Sequence, residues 1–414
     1  MFRKIISLGL AGILSFSLLS SCNNVNTDSD GSPDNGQVDE GPTTITIWHD
    51  KEDAVVEAMQ GKLDELKPEI NVVLERKDGL TESLKLVGND PNAAPEMYMF
   101  ANDKLGVYAE MGILSPITDF IDAETLDMYV PLTVDAATYK DEVYQLPIYF
   151  ETLLFMYNRL YMSDDEVPET TEELYTYMQE NTAGGHYGFV EQHSTAYYSA
   201  GWIHAFDGYI LNDDGQPGLN TPETIEALEY HKKFVEYMPI EGEYATVNTL
   251  FREAKAHSTL GGPWLVASAR ESGIDLGLAP MPTVDQTGNP ISPFTGVQGV
   301  HVLKVHAETK HEAITAVLEK LAEEELQINV AKASASAPAL QSAYESEEIT
   351  QDETVMAMYE TAKEAVPMTN VPEMDVMWTV TENMLVDINM SGENVTESAN
   401  NAQQEALNLI EAMK

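Results

Sequence analysis

The chain reads as an α/β protein, and three observations predict that class. Thr44-Ile45-Thr46-Ile47-Trp48 alternates side chains as a half-buried strand does. Ala54 to Leu66 then carries apolar residues at helical spacing and stops at Pro68. Asn71-Val72-Val73-Leu74 is strand-like again, and strand, helix, strand in succession belongs to an α/β body with a mainly parallel sheet. Further strands are expected at Glu96-Met97-Tyr98-Met99-Phe100 and at Val143-Tyr144-Gln145-Leu146-Pro147-Ile148. A second set of helices and loops is expected over residues 160–290, with turns at Ala183-Gly184-Gly185 and Asn212-Asp213-Asp214-Gly215. The final third reads as largely helical, most clearly from Ala307 to Glu325 and from Glu393 to Met413. No internal repeat is evident.

Cys22 is the only cysteine, so no intrachain disulfide supports the fold and burial must build the core. It closes the run Leu19-Ser20-Ser21-Cys22 after Arg3, Lys4 and an apolar stretch from Ile5 to Leu19. Interfacial charge, a greasy core and small residues before a cleavage point are what an export signal needs, and the pattern resembles the lipobox of a bacterial lipoprotein. The resemblance implies a signal peptide over 1–21, a lipidated Cys22, and an extracytoplasmic protein anchored to the cell membrane by lipid alone. The alternative, an uncleaved anchor, is short for a span that wants ~20 apolar residues. Residues 22–42, rich in Asn, Asp, Ser, Gly and Pro, bury too little apolar area to fold and are expected to form a disordered tether.

The formal charge is −47, from 69 acidic against 22 basic residues, and removing Arg3 and Lys4 with the signal takes it to −49. Such a surface repels phosphate backbones and anionic headgroups, which excludes nucleic acid as a natural partner and argues against a strongly anionic substrate. About 390 residues remain after residue 21, more than one core usually spans, so two domains are expected.

Five stretches resemble the maltose/maltodextrin-binding proteins of ABC importers, within the extracellular solute-binding proteins. They are Ile45 to Lys51, Phe100 to Lys104, Pro147 to Asn158, Gly261-Gly262-Pro263-Trp264, and Asn370 to Met374 with Trp378. They occur in the family's order and at near-family spacing from residue 43 onward. The resemblance implies a periplasmic-binding-protein type fold: two α/β lobes joined by a hinge, with the ligand cleft between them. It puts 43–149 plus 299–348 in the N-terminal lobe and 152–296 plus 350–414 in the C-terminal lobe. The function it implies is capture of an oligosaccharide, maltose or maltodextrin first, for delivery to the transmembrane subunits of a permease. A monomer is expected, with no cofactor, no metal site and no catalysis.

A sugar site must answer two surfaces: hydroxyls, which want fixed and often charged partners, and C–H faces, which want flat rings. Carried over by resemblance, Asp50, Lys51, Asp103, Lys104 and Glu151 serve the first, with Glu82 a looser match. Phe100, Tyr197, Trp264 and Trp378 serve the second. Trp48 sits inside the first strand and reads as core or supporting residue, whereas Trp202 suits either role. The chain departs from the family at Phe100, where a tryptophan is usual, before Tyr197, where an acid is usual, and at Glu382 or its neighbours, where an arginine is usual. Several rings predict an oligosaccharide of at least two units, and the departures leave room for another linkage or a cyclic glucan.

Two other classes compete. A glycoside hydrolase needs two carboxylates across the cleaved bond, which an acidic chain supplies without specificity. The sequence has no G-x-S-x-G elbow, no H-E-x-x-H and no phosphate-cradling loop, and its nine histidines show no metal-ligand spacing. A receptor for another solute, such as a polyamine, would suit the negative charge, but Lys51, Lys104 and the rings suit neutral polyols better.

Overall fold

The computed structural model describes residues 41–413; the signal and Cys22, and the tether up to Glu40, lie outside the described residues. Two sheets organise the chain. The larger has eight strands, its main path running 337–338, 146–151, 294–303, 97–101, 43–49, 70–76, with 114–115 and 366–367 also pairing on 294–303. The smaller has four, in the order 276–279, 154–158, 256–261, 187–190.

Thr43–His49 pairs in parallel with Ile70–Arg76 and with Met97–Ala101, as the strand, helix, strand pattern predicts. The expectation of a mainly parallel sheet needs correction. Phe294–Leu303, ten residues and buried throughout, enters antiparallel between Met97–Ala101 and Leu146–Glu151, and the smaller sheet is antiparallel except at 187–190 beside 256–261. The cause is the return of the chain from the second sheet into the first, which no local pattern reports.

The single strand expected over 143–148 is two elements. Glu142–Val143 forms a ribbon with Thr138–Tyr139 around Lys140 and Asp141, both at positive φ, while Leu146–Glu151 joins the large sheet. Gln145 between them is fully buried and donates to the carbonyls of Phe100 and Val297, so it turns the chain where the alternation reads straight through. The helix expected over 307–325 is broken into Lys304–Ala307, His311–Leu321 and Glu324–Ser334, and the last helix is Val395–Ala412.

One apolar core lies against the large sheet, including Ile45, Ile47, Met97, Ile148 and Val300. A second lies against the small sheet and the helices near the C-terminus, including Phe155, Trp202, Met374 and Met377. A third joins Phe150, Val297 and Ala337 of the large sheet to Leu154, Met156 and Leu265 around the small one, so apolar packing continues where the chain crosses. Trp48 belongs to a cluster on the large sheet, its indole donating to Glu75 Oε2 at 2.9 Å. Trp202 is fully buried and donates to the Glu191 carboxylate, which settles it as core.

Candidate functional site

The strands 43–49, 97–101 and 146–151 run the same way and end at one edge of the large sheet, where open α/β sheets bind ligands. The antiparallel strand 294–303 begins at that edge. A cavity of about 350 Å³ opens there, lined from the sheet by Phe100, Ala101, Asp103, Glu151, Gly296 and Gln298, and from the other side by Tyr197, Trp264, Met368 and Trp378.

Phe100 stands on the strand Met97–Ala101, and the other three rings come from three helices. Tyr197 is in the first turn of Ala196–His204, and its hydroxyl donates to the Phe294 carbonyl at 3.4 Å. Trp264 follows Pro263, whose fixed φ suits the first position of the helix Pro263–Glu271. The indole folds back so closely that a Cβ at Gly262 would lie 2.2 Å from it, so the Gly-Pro-Trp sequence creates the platform. Tyr197 and Trp264 are tilted neighbours at 6.4 Å between centroids. Trp378, on Met374–Leu385, stands edge-on to Phe294 at 5.9 Å, and its Nε1 is buried with no partner within ordinary hydrogen-bond geometry among the described residues. The indole nevertheless lies close enough to Asp103 to ease that carboxyl's ionisation.

The polar groups form two connected sets. In the first, buried Lys51 bridges Asp50 at 2.8 Å and donates to Gln298 Oε1 at 2.8 Å, with its ammonium 5.6 Å from the Phe100 ring centroid. Gln298 Nε2 then donates to Glu151 Oε1 at 2.9 Å. Burial pushes the Glu151 carboxyl up, and Lys51 and Gln298 pull it back only in part. In the second, Lys104 lies 3.4 Å from Asp103 and 2.9 Å from Asp375, which also takes Lys85 at 2.8 Å. Burial raises the Asp103 carboxyl despite Lys104. At Asp375 burial also pushes up, but the two ammonium groups outweigh it and hold the carboxyl below its usual range.

Of the ten expected ligand residues, Phe100, Asp103, Glu151, Tyr197, Trp264 and Trp378 line this cavity. Lys51 reaches it through Gln298, with Asp50 behind. Lys104 is taken up by Asp103 and Asp375. Glu82 is exposed on the helix Leu80–Val87, paired with Lys85. Glu382 is half-buried beside the Ala196 N–H and is not among the lining residues. The sequence reading missed Gln298, Gly296, Met368 and Asp375. One signal was available for Gln298, a long polar side chain inside the otherwise apolar run Phe294 to Leu303. Volume does not select the site, since hollows of about 710 and 640 Å³ occur elsewhere; what distinguishes this cavity is rings from one side facing hydrogen-bonding groups from the other. Among the described residues no cluster suits a metal ion, and no helix is long and apolar enough to cross a membrane.

The chain belongs to the bacterial extracellular solute-binding protein family, whose model matches residues 54–357. It is similar to the maltotriose-binding protein of Pyrococcus abyssi (strain GE5 / Orsay), 31% identical over 270 residues. That match covers 63% of this chain and 59% of the relative's own length. It is also similar to the galactooligosaccharide-binding protein of Bacillus subtilis (strain 168), 25% identical over 89% of this chain and 90% of the relative. A maltooligosaccharide ABC transporter solute-binding lipoprotein of Streptococcus pneumoniae (serotype 4, strain ATCC BAA-334 / TIGR4) is 26% identical over 97% of this chain and 95% of its own. Among solved structures, the maltose/maltodextrin-binding domain MalE from Bdellovibrio bacteriovorus bound to maltotriose superposes with a TM-score of 0.80. It is 22% identical and covers 89% of this chain and 100% of that one, which establishes the two-lobed binding-protein fold.

Proposed function

We propose that this protein captures a maltodextrin between its two lobes and presents it to the membrane subunits of an ABC importer, without catalysis. One observation carries the reading: the cavity sets Tyr197, Trp264 and Trp378 against the Lys51, Gln298, Glu151 chain. Stacking faces and charge-assisted hydrogen-bond groups thus meet across a gap, as a ring with hydroxyls on its rim requires. The names of the similar proteins, maltotriose-binding and maltooligosaccharide-binding among them, support the sugar class.

In this reading the lobes are 43–149 with 299–348 and 152–296 with 350–414, and ligand contacts to both favour the closed state. Cys22 carries the lipid that holds the protein at the extracellular face, a reading supported by the Leu19 to Cys22 run and by the lipoprotein name of the streptococcal relative.

Calorimetric titration tests the class. Maltotriose is expected to bind and to be recovered intact, and glucose to bind far more weakly, because one hexose cannot cover several rings. No binding of maltotriose alongside tight binding of a galactooligosaccharide would move the assignment to that linkage. Release of shorter sugars would show a hydrolase.

A further inference from the structure

An amide side chain can be turned either way, and its neighbours decide which. Gln298 lies between an ammonium that can only donate, Lys51 Nζ, and a carboxylate that accepts, Glu151. Its Oε1 must face Lys51 and its Nε2 must face Glu151, so the orientation follows from the chemistry of both partners. Strand geometry brings the three together. Glu151 pairs with Gly296 and Tyr149 with Gln298, so Gln298 reaches Glu151 along the diagonal, past a glycine with no side chain to block it. A register shift follows at once, between Gln298 and Gly299, where Ile148 is the extra residue on the neighbouring strand. Bulges of this kind re-aim side chains beside functional sites. Gln298 is itself only 7% exposed, so water is a poor substitute for either partner.

We propose that Gln298 is a positioning residue that fixes Glu151 as an ionised, acceptor-only group facing the cavity, and so selects ligands that donate a hydroxyl at that point. The inference rests on reading the cavity as a sugar site, and names what decides between a neutral polyol and an anionic ligand there. Glu151 Oε1 is taken by the amide, whereas Oε2 has only a 3.5 Å approach from the Ser336 hydroxyl, which itself donates to the Ser334 carbonyl. Oε2 is therefore the atom left for ligand. An incoming carboxylate would meet an acceptor with no proton to share, whereas a hydroxyl would find a charge-assisted partner.

The charged and titratable groups facing Glu151 are Lys51, Asp50 and Glu52 from the end of the first strand and beyond, with Tyr149, Tyr197 and Tyr198. Burial pushes all three phenols up, away from the range in which a carboxyl changes charge. Because burial raises the Glu151 carboxyl above its usual range, acidification removes this acceptor at a higher pH than it would an exposed glutamate, and affinity of the parent should fall as the pH is lowered through that range.

Two variants and one ligand-free measurement test this. Gln298→Leu should weaken maltotriose binding about tenfold or more, since a buried charged acceptor loses its donor, and its affinity should begin to fall at higher pH than the parent's. Gln298→Glu places a second carboxylate beside Glu151, and like charges at that spacing raise the pair's affinity for a proton even with Lys51 alongside. It should bind poorly at high pH and recover as the pH is lowered, a slope opposite in sign to the parent's, which a merely structural residue would not produce. Carboxyl NMR of labelled glutamates without sugar should show the Glu151 midpoint moved up in Gln298→Leu. Parent-like affinities and pH slopes in both variants, or an unmoved Glu151 midpoint, would overturn the inference. If the parent itself binds no maltodextrin, the sugar reading fails, and the Glu151 midpoint still decides whether Gln298 positions that carboxylate.

Discussion

The two walls of the cavity are built by different physics. The sheet wall is a set of hydrogen-bonded charges, Lys51 through Gln298 to Glu151, in which each group's geometry depends on the next. The helix wall is Tyr197, Trp264 and Trp378, each held by its own helix and by packing against neighbouring rings. Removing a ring deletes area at one place, whereas removing a charge strands a partner that is already buried. Under the proposed function, the helix wall would supply contact area open to any sugar face, and the sheet wall would decide which hydroxyls are accepted.

The comparison can be broken by substitution. Trp264→Ala should have the largest effect, about 2 kcal/mol or more, roughly thirtyfold in Kd for maltotriose; binding equal to the parent's would remove Trp264 from the site. Phe100→Ala should cost less, about 1 kcal/mol, since the smaller ring buries less, and calorimetry of both variants sets the order. Lys51→Met and Lys104→Met sharpen the contrast within the charged residues. Lys51 is tied to the cavity through Gln298, so its loss should weaken binding about tenfold. Lys104 is engaged by Asp103 and Asp375, so its loss should lower the melting temperature and change affinity by less than about threefold. Equal effects on affinity would mean that Lys104 also reaches the sugar.

How legible these residues were follows from how local their causes are. Trp264 was reached through the family resemblance of Gly261-Gly262-Pro263-Trp264, and in the fold Gly262 leaves the space into which the indole turns back. Phe100 was also carried over by resemblance, and Asp103 had a local argument beside it, its place just after the end of a strand. The first strand, helix and second strand, 43–76, follow from periodicity alone and were placed within a few residues. Gln298 could not be assigned a role, for its partners lie 247 and 147 positions away in sequence. The same holds for Lys104, whose partner Asp375 is 271 positions off, so a residue that reads as a free cation is occupied in the fold. Glu82, carried over by resemblance as a looser match, lies exposed on its helix beside Lys85. The antiparallel insertion of 294–303 was hidden for the same reason as Gln298: strand direction depends on the route the chain takes between sheets.

Under the proposed function both walls are needed at once, so that ligand draws the two lobes together. Small-angle scattering of the parent, without sugar and saturated with maltotriose, tests it most directly. The radius of gyration should fall on saturation. An unchanged radius, with binding shown by calorimetry on the same sample, would contradict capture by closure.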